Sequence, residues 1–407
     1  MSAATGEAAP AADGQGAVKE TTRETLRRFI QGDLASLRVV LGLAVIWIIF
    51  QSQNDRFLSA ENLTNLMLQI TAVGLISIGI VFVLLLGEID LSVGAVSGLT
   101  AAIMAVLNFK HGWNPYLAIA AGVFAGMAIG ALQGFLFSRF GVPSFVVTLA
   151  GLLAWQGALL QVLGSTGSIN LTDPKITGLA NTFYSDAVGW IMAAIVIVAY
   201  GALTLLGHRR RVAAELESEG MITLAIRFGL VAVATIVVVA ILNSDRGVPL
   251  ALLILIAFVV GMEYVAKKTR FGRHVFAVGG NVEAARRAGI GIEKIRVIVF
   301  AMSGTMAAIG GIMAASRLLA VNQNSGGSEL LLLAIAGPVI AGTSLFGGRG
   351  AVWTALVGAL VIGSISNGMD LLALSSAVKF MVTGGVLLLA VIVDAIARQQ
   401  RQAAGRV

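Results

Sequence analysis

The chain has 407 residues, of which 57% are hydrophobic and only 12% are charged, a composition too apolar for an ordinary soluble domain. Apolar runs of roughly 17 to 25 residues recur without the alternation of membrane strands, which predicts an all-α polytopic integral membrane protein. The absence of cysteine excludes disulfides and thiolate metal sites, and the three scattered histidines predict no metal centre. The net charge of +7 fits basic anchors at span ends better than nucleic-acid binding, which we do not expect.

The predicted elements begin with a disordered cytoplasmic tail at 1–33, which is rich in Ala, Gly and Glu and lacks the apolar core of a cleavable signal. A transmembrane domain is expected over 34–397, followed by a cytoplasmic C-terminal tail at 398–407. The second helix of this domain begins at a cap provided by Ser59 or Asn62. The other spans are predicted at 37–50, 91–107, 116–137, 144–163, 187–206, 223–242, 248–266, 297–316, 329–346, 351–367 and 378–396.

The number of spans depends on the segment 329–346, because Pro338 lies inside it. This segment is either a full span or a re-entrant one, so we expect about 10 to 12 transmembrane helices. With the N terminus in the cytoplasm, the basic clusters His208–Arg211 and Lys267–His274 fall on the cytoplasmic side, as the positive-inside rule requires. The opposite side receives short loops and one longer segment at 165–187.

Two carboxylates end the second span in "LLLGEIDLSVG", residues 84–94. Gly87 can end one helix in a left-handed conformation, and Asp90 can accept hydrogen bonds from the free N–H groups that start the next helix, at Ser92 or Val93. Glu88 has no such capping partner. We therefore predict a helix junction formed by Gly87, Glu88 and Asp90, in which Glu88 serves in a gate or pairs with a cytoplasmic arginine.

The segments "LGEIDLSVGAVSGLTAAI" and "GTSLFGGRGAVWTALVGAL" have the same plan. Each interrupts an apolar helix with a glycine-bearing turn and restarts with Gly-Ala-Val, at 94–96 and 350–352. Both turns are expected at the same membrane face, which favours a parallel internal repeat. The alternative is a chance likeness between glycine-rich apolar helices.

A short cytoplasmic helix is predicted within "AVGGNVEAARRAGIGIEKIRV", residues 277–297. Asn281 is a good N-cap, Glu283 suits the first turn, and Gly289 ends the helix. The small side chains of Ala284 and Ala285 allow a partner to approach closely, and Arg286 adds charge. The alternative is a linker helix that lies on the bilayer.

Four segments together carry a resemblance to a known family. "GEIDLSVGA", "VPSFVVTLAG" (142–151), "GGN-x-EAARRAGI" (279–290) and "GTSLFGGRG" (342–350) occur here. The sequence thereby resembles the permease subunits of bacterial sugar ABC importers of the ribose/xylose type, over about residues 60 to 396. An insertion of two spans between 187 and 266 most resembles the D-xylose branch.

The resemblance implies the fold of a type II ABC importer permease in the bacterial inner membrane. Its expected partners are a cytoplasmic ATPase, a periplasmic sugar-binding protein, a second permease subunit in a homodimer, and membrane lipid. The chain lacks the phosphate-binding pattern G-x-x-x-x-G-K-[ST], so ATP and magnesium are expected on the ATPase, with no cofactor and no catalytic residue on this chain. The coupling helix that docks on the ATPase would be 281–289, through Asn281, Glu283, Ala284, Ala285, Arg286 and Gly289.

A sugar pathway needs amides and hydroxyls, because its ligand is polyhydroxylated and uncharged. Alternatively, these polar side chains bond back to their own helix turn or join two helices. The sequence also departs from the family, since Leu333 stands where an acidic residue is expected and Glu329 lies four positions earlier. The candidates for the pathway are Gln69, Gln133, Thr148, Gln156, Asn324 and Asn367.

Two other functions remain open from the sequence. One is a permease of the same superfamily for another small solute, such as a branched-chain amino acid or a nucleoside. The other is an ion-driven secondary carrier in which Glu88 and Asp90 bind the coupling ion. An intramembrane enzyme is not expected, because the sequence has no visible nucleophile and base.

Overall fold

A computed structural model describes residues 34–216 and 220–403, which form fifteen helices. The predicted tail at 1–33 lies outside the described residues. The helices are α1 (Leu34–Gln53), α2 (Ala60–Leu85), α3 (Val93–Ala105), α4 (Pro115–Phe140), α5 (Ser144–Leu163), α6 (Pro174–Asn181), α7 (Asp186–Ala213), α8 (Met221–Asn243), α9 (Leu250–Lys268), α10 (Arg270–Gly280), α11 (Val282–Arg287), α12 (Ile292–Leu318), α13 (Ser328–Ile340), α14 (Trp353–Leu371) and α15 (Ser376–Ala403).

Short irregular elements join these helices on the side opposite the basic clusters. Helix α3 continues into a π-helical turn, Val106–Lys110, and α5 into a 3₁₀ turn, Gly164–Thr166. Strand β1 (Ser168–Asn170) pairs antiparallel with β4 (Ala320–Asn322), with Ile169 opposite Val321. Strand β2 (Phe183–Tyr184) pairs antiparallel with β3 (Val248–Pro249). The β2–β3 pair joins the segment before α7 to the start of α9. The β1–β4 pair joins the segment after α5 to the segment after α12.

Ten helices of the described chain are long and apolar enough to cross a membrane. The prediction of an all-α polytopic membrane protein is therefore confirmed. Most predicted spans also have the right place, and α5 begins and ends at the predicted residues. Helix α15 continues through Ala403, so the predicted tail at 398–407 begins inside a helix.

Helix α13 differs from the predicted span 329–346. It has 13 residues and is about 20 Å long, too short for a hydrocarbon core of roughly 30 Å. The helix contains Pro338 and ends at Ile340, after which Gly342 has φ +107° and the N–H of Thr343 donates to Pro338 O at 2.8 Å. Residues 341–352 then continue as a turn toward α14. The full-span alternative for 329–346 is wrong, because a glycine-bearing turn replaces the last six residues of that range.

Helix α2 lies at the centre of the core, and 94% of its most apolar 18-residue stretch is buried inside the protein. Helix α12 packs on α2 and also on α4, where glycines remove the side chains between two backbones. A methyl group added at Gly126 would lie 2.4 Å from the carbonyl oxygen of Gly304, and one at Gly130 would lie 2.1 Å from that of Phe300. Small residues in this spacing let membrane helices pack closely without a water-driven hydrophobic effect.

Two long helices lie at the periphery. In the most apolar 18-residue stretch of each helix, only 11% of α7 and 6% of α8 is buried inside the protein. The two helices pack against each other. They lie in the region 187–266, where the resemblance implies an insertion of two spans. Their exposed apolar faces fit a lipid environment, in which such side chains need no protein cover.

Candidate translocation pathway and coupling site

The cytoplasmic segment forms the short helix that the sequence predicts. The Asn281 side chain accepts a hydrogen bond from the N–H of Ala284 at 2.9 Å, and Gly289 has φ +79° just after the helix. Glu283 and Arg286 form an exposed ion pair at 3.5 Å. The side chains of Asn281, Glu283, Ala284 and Arg286 are exposed and are therefore available to a partner.

Ala285 does not belong to that exposed surface. It is only 3% exposed and packs in the same buried cluster as Ile292 and Ile295 of α12. The side chain of Ala285 thus attaches α11 to the body of the permease, and it does not contribute to the exposed surface of the predicted coupling helix. A bulky replacement here would disturb the chain's own core.

The last residue of α2 and the turn that leads to α3, residues 85–92, are named the first junction. Gly87 has φ +76°, and the Asp90 side chain is 3% exposed. One carboxylate oxygen of Asp90 accepts from the N–H of Ser92 at 2.9 Å and from its hydroxyl at 2.7 Å, and the other accepts from the Ser303 hydroxyl at 3.0 Å. Burial raises the pKa of the Asp90 carboxyl, and the hydrogen bonds from Ser92 and Ser303 act against that shift. Asp90 thus joins the start of α3 to α12.

Glu88 pairs with an arginine that the sequence analysis did not single out. Its Oε1 lies 2.8 Å from Nη2 of Arg296, and both side chains are largely buried. The Arg296 guanidinium also lies 5.3 Å from the centre of the Phe137 ring. Arg296 is in the second turn of α12, so the ion pair connects the first junction to the helix that follows the cytoplasmic segment.

The turn between α13 and α14, residues 341–352, is named the second junction. The N–H of Gly348 donates to Leu85 O at 2.9 Å, so the two junctions touch at the same end of the molecule. The N–H of Val352, at the start of α14, donates to Glu263 of α9 at 2.7 Å, and Glu263 also pairs with Lys267 at 2.6 Å. A carboxylate again lies at the start of a helix, but α9 supplies it. No pattern near residues 341–352 indicated Glu263, since the contact depends on how the helices pack.

A cavity of about 470 Å³ lies between α2, α3, α12, α13, α14 and α15. It is at the end opposite the junctions, beside the strand β4. An ion pair between Asp370 and Lys379 joins α14 to α15 at its wall. Its uncharged polar lining consists of Gln69, Ser97, Asn322, Asn324, Ser325, Ser366 and Ser376, and its charged lining of Arg317, Glu329, Asp370 and Lys379.

Two of the six pathway candidates, Gln69 and Asn324, line this cavity. Leu333 lines it as well, together with Glu329, so the cavity has a carboxylate one helical turn from the position where the family pattern puts one. Ser97 and Ser366 were missed, because serines in apolar helices give no signal of their own. The polar turn around Ser325, just after β4, is a signal that could have been used.

The other four candidates do not line this cavity, and each has a partner elsewhere. Asn367 exchanges amide hydrogen bonds with Asn62 at 2.8 and 3.0 Å, which joins α14 to α2. Gln156 donates to the carbonyl oxygen of Gln323 at 3.0 Å. Asn367 therefore joins two helices, which is one of the alternatives that the sequence left open for these polar side chains.

Gln133 and Thr148 lie at the first junction. Oε1 of Gln133 is 3.0 Å from the Ser92 hydroxyl, and the side chain is 2% exposed. The hydroxyl of Thr148 donates to Ser144 O, one turn earlier, at 3.0 Å, and lies 3.3 Å from Ile89 O. Both side chains therefore hold the junction instead of lining the cavity at the other end.

The size and lining of the cavity suit a small polar solute. Among the described residues, no group of three or more His, Cys, Asp or Glu side chains could hold a metal ion. The cavity volume lies in the range of roughly 300–1,000 Å³ that is usual for small-molecule sites. Amides and hydroxyls on its wall suit a ligand with several hydroxyl groups.

Comparison with known proteins assigns the family. The family described as "Branched-chain amino acid transport system / permease component" matches residues 62–391. This chain belongs to that family. It is a multi-pass inner-membrane permease component of an ABC transporter, and it is a transport subunit and not an enzyme.

Sugar permeases are among the similar proteins. The chain is 36% identical to the xylose transport system permease protein of Escherichia coli (strain K12), over 89% of this chain and 92% of the relative. It is 30% identical to the ribose import permease protein of the same strain, over 90% of this chain and 96% of the relative. The ribose import permease protein of Bacillus subtilis (strain 168) is 32% identical, over 91% and 96%. No solved structure gives a significant match.

Proposed function

We propose that this chain is the permease subunit of an ABC importer that moves a monosaccharide, D-xylose or a related pentose, across the inner membrane. The observation that carries the proposal is the 36% identity to a xylose permease over 89% of this chain, against 30% to a ribose permease. Higher identity to the xylose protein supports xylose as the first candidate.

The cavity supports a sugar as the solute. Gln69, Asn324 and Ser366 offer both donors and acceptors, and an uncharged polyol can exchange its water for them without a large desolvation penalty. Helices α3 and α14, which start at the two junctions, both line the cavity. A displacement of the junctions would therefore change the wall of the cavity, as alternating access requires.

The partners follow from the same family membership. ATP and magnesium would be bound by a separate cytoplasmic ATPase, and a periplasmic binding protein would deliver the sugar. The coupling segment, residues 281–289, presents a small exposed surface to the ATPase and ends at Gly289. Its exposed residues include Asn281, Glu283, Ala284 and Arg286. A second copy of this chain would complete a homodimeric pathway.

An amino-acid permease is the second candidate, because charged side chains also line the cavity. Arg317 and Glu329 are the kinds of group that a zwitterionic amino acid requires, and the family description names branched-chain amino acids. An ion-driven carrier is less well supported. Glu88 is paired with Arg296, and Asp90 accepts three hydrogen bonds, so both carboxylates already have partners within the protein.

The proposal is tested by uptake into proteoliposomes that contain the permease, its ATPase and the binding protein. Radiolabelled D-xylose should enter only when ATP and magnesium reach the ATPase side, and excess D-ribose should compete more strongly than excess leucine. Leucine uptake with no response to either sugar would establish the second candidate. Gradient-driven xylose uptake by this chain without the ATPase would contradict the ABC mechanism.

A further inference from the structure

The last turn of α10 touches both junctions at Gly279. A methyl group added at Gly279 would lie 1.7 Å from the carbonyl oxygen of Leu85 and 2.8 Å from the nitrogen of Gly348. These two atoms form the hydrogen bond that joins the two junctions, at 2.9 Å. Gly279 is helical and does not have a positive φ, so its backbone conformation does not require glycine. Only the close approach of the three backbones requires it.

Further glycines bring the same three segments together. A methyl group added at Gly347 would lie 2.7 Å from Gly279 O and 3.0 Å from the Cα of Gly87. One added at Gly348 would lie 3.0 Å from the Cα of Gly280. We name the four glycines Gly87, Gly279, Gly347 and Gly348 the glycine contact. It is a backbone-to-backbone contact with no side chain that could yield when one segment moves.

The glycine contact lies directly beside the coupling segment. Asn281 follows Gly280 and caps α11, so no flexible linker separates the contact from the helix that meets the ATPase. On the other side of α11, Arg296 pairs with Glu88 of the first junction. The coupling segment is therefore attached to the first junction both before and after α11.

We infer that Gly279 is a positioning residue that transmits displacement of the coupling segment to both junctions, and through them to α3 and α14. This inference rests on the proposed function, since it requires an ATPase that moves α11. Helix α3 brings Ser97 to the cavity and α14 brings Ser366. Movement at Gly279 thereby reaches the cavity wall through two helices at once. An interface in close packing passes a displacement on instead of absorbing it.

The test compares two neighbouring glycines in the complete transporter complex. The methyl group of Gly279→Ala collides with the backbone of the first junction, whereas that of Gly280→Ala meets nothing within 4 Å. Both variants change one helical glycine to alanine. We expect Gly279→Ala to lower sugar imported per ATP hydrolysed by about tenfold while basal ATP hydrolysis remains, and Gly280→Ala to stay within about twofold of the wild type. Wild-type coupling in Gly279→Ala, or an equal loss in both variants, would overturn the inference.

If the Gly279→Ala complex does not assemble, a measurement on the wild-type complex tests the role of Gly279. Hydrogen exchange of the Gly348 amide reports the bond to Leu85 O. We expect this exchange to differ between the nucleotide-free complex and the complex with magnesium and a non-hydrolysable ATP analogue. Identical exchange in both states, while peptides of α11 respond to the nucleotide, would overturn the inference. Failure of the proposed function has a different signature, because the wild-type complex would then import no pentose at all.

Discussion

The two junctions occupy the same end of the molecule, and each precedes a helix that lines the cavity, but their polar groups come from different places. The first junction contains its own carboxylate, and Asp90 binds Ser92 two residues later. The second junction, 341–352, contains no acidic residue and takes Glu263 from α9. In both junctions a carboxylate therefore lies at the start of the helix that follows, but only the first junction supplies it from its own sequence.

The second junction also depends more on backbone conformation. Four of its glycines have positive φ, against one in the first junction. These residues are Gly342, Gly347, Gly348 and Gly350. The first junction instead has three hydrogen bonds to one buried carboxylate. We therefore expect side-chain changes to damage the first junction more than the second.

The largest effect is expected at Asp90. In Asp90→Ala, the Ser303 hydroxyl and the N–H of Ser92 lose their acceptor, and the Ser92 hydroxyl keeps only Oε1 of Gln133, which should lower the free energy of unfolding by about 3 kcal/mol. In Asp90→Asn the loss should be smaller, because the amide oxygen still accepts and a neutral group avoids the desolvation that raises the pKa of Asp90. Thermal unfolding of the purified permease in detergent measures both. Equal losses in the two variants would show that the negative charge, and not the acceptor, matters.

A medium effect is expected at Glu263. In Glu263→Leu, the N–H of Val352 loses its partner and Lys267 loses its ion pair, which should cost about 1–2 kcal/mol. Glu263→Gln is the matched control, because it keeps an acceptor for Val352 and removes only the charge. Trypsin cleavage after Arg349 measures opening of the second junction and should be faster in Glu263→Leu. Equal cleavage rates in the leucine variant and the wild type would show that Glu263 does not stabilise the second junction.

The smallest effect is expected for the ion pair of Glu88 and Arg296. Because both side chains keep some contact with solvent, a double-mutant cycle with Glu88→Gln and Arg296→Gln should give a coupling energy of about 1 kcal/mol. ATP-driven uptake measures the same pair in function. The exchanged variant, Glu88→Arg with Arg296→Glu, should recover part of the activity that each single reversal loses. Additive effects of the two glutamine variants would show that the pair does not act as a unit.

Local patterns in the sequence were sufficient for the spans and for the first junction. Apolar length located the helices, and the spacing from Asp90 to Ser92 predicted a hydrogen bond that the structure has. Pro338 marked the weakest span, although the helix ends after Ile340 and not at the proline itself. In each case the deciding contacts are formed within a few residues.

Contacts between distant segments could not be predicted in the same way. The partner of Glu88 is 208 positions away at Arg296, and that of Asn62 is 305 positions away at Asn367. Chain order does not specify which helices pack together, so a polar side chain in a span has the same local pattern whether it lines a cavity or joins two helices. For this reason the sequence indicated Gln133 and Asn367 as polar positions but did not indicate that each bonds to another segment and lies away from the cavity.

The most direct test of the account asks whether sugar passes through the cavity that α2, α3 and α14 help to line. The chain has no native cysteine, so Gln69→Cys gives a single thiol on the cavity wall. Thr71→Cys is the control, since Thr71 is buried and its hydroxyl bonds to Met67 O of its own helix. A membrane-impermeant thiol reagent added outside should block ATP-driven xylose uptake in Gln69→Cys, with protection by sugar-loaded binding protein, and should spare Thr71→Cys. Full uptake after complete modification of Gln69→Cys would contradict the account.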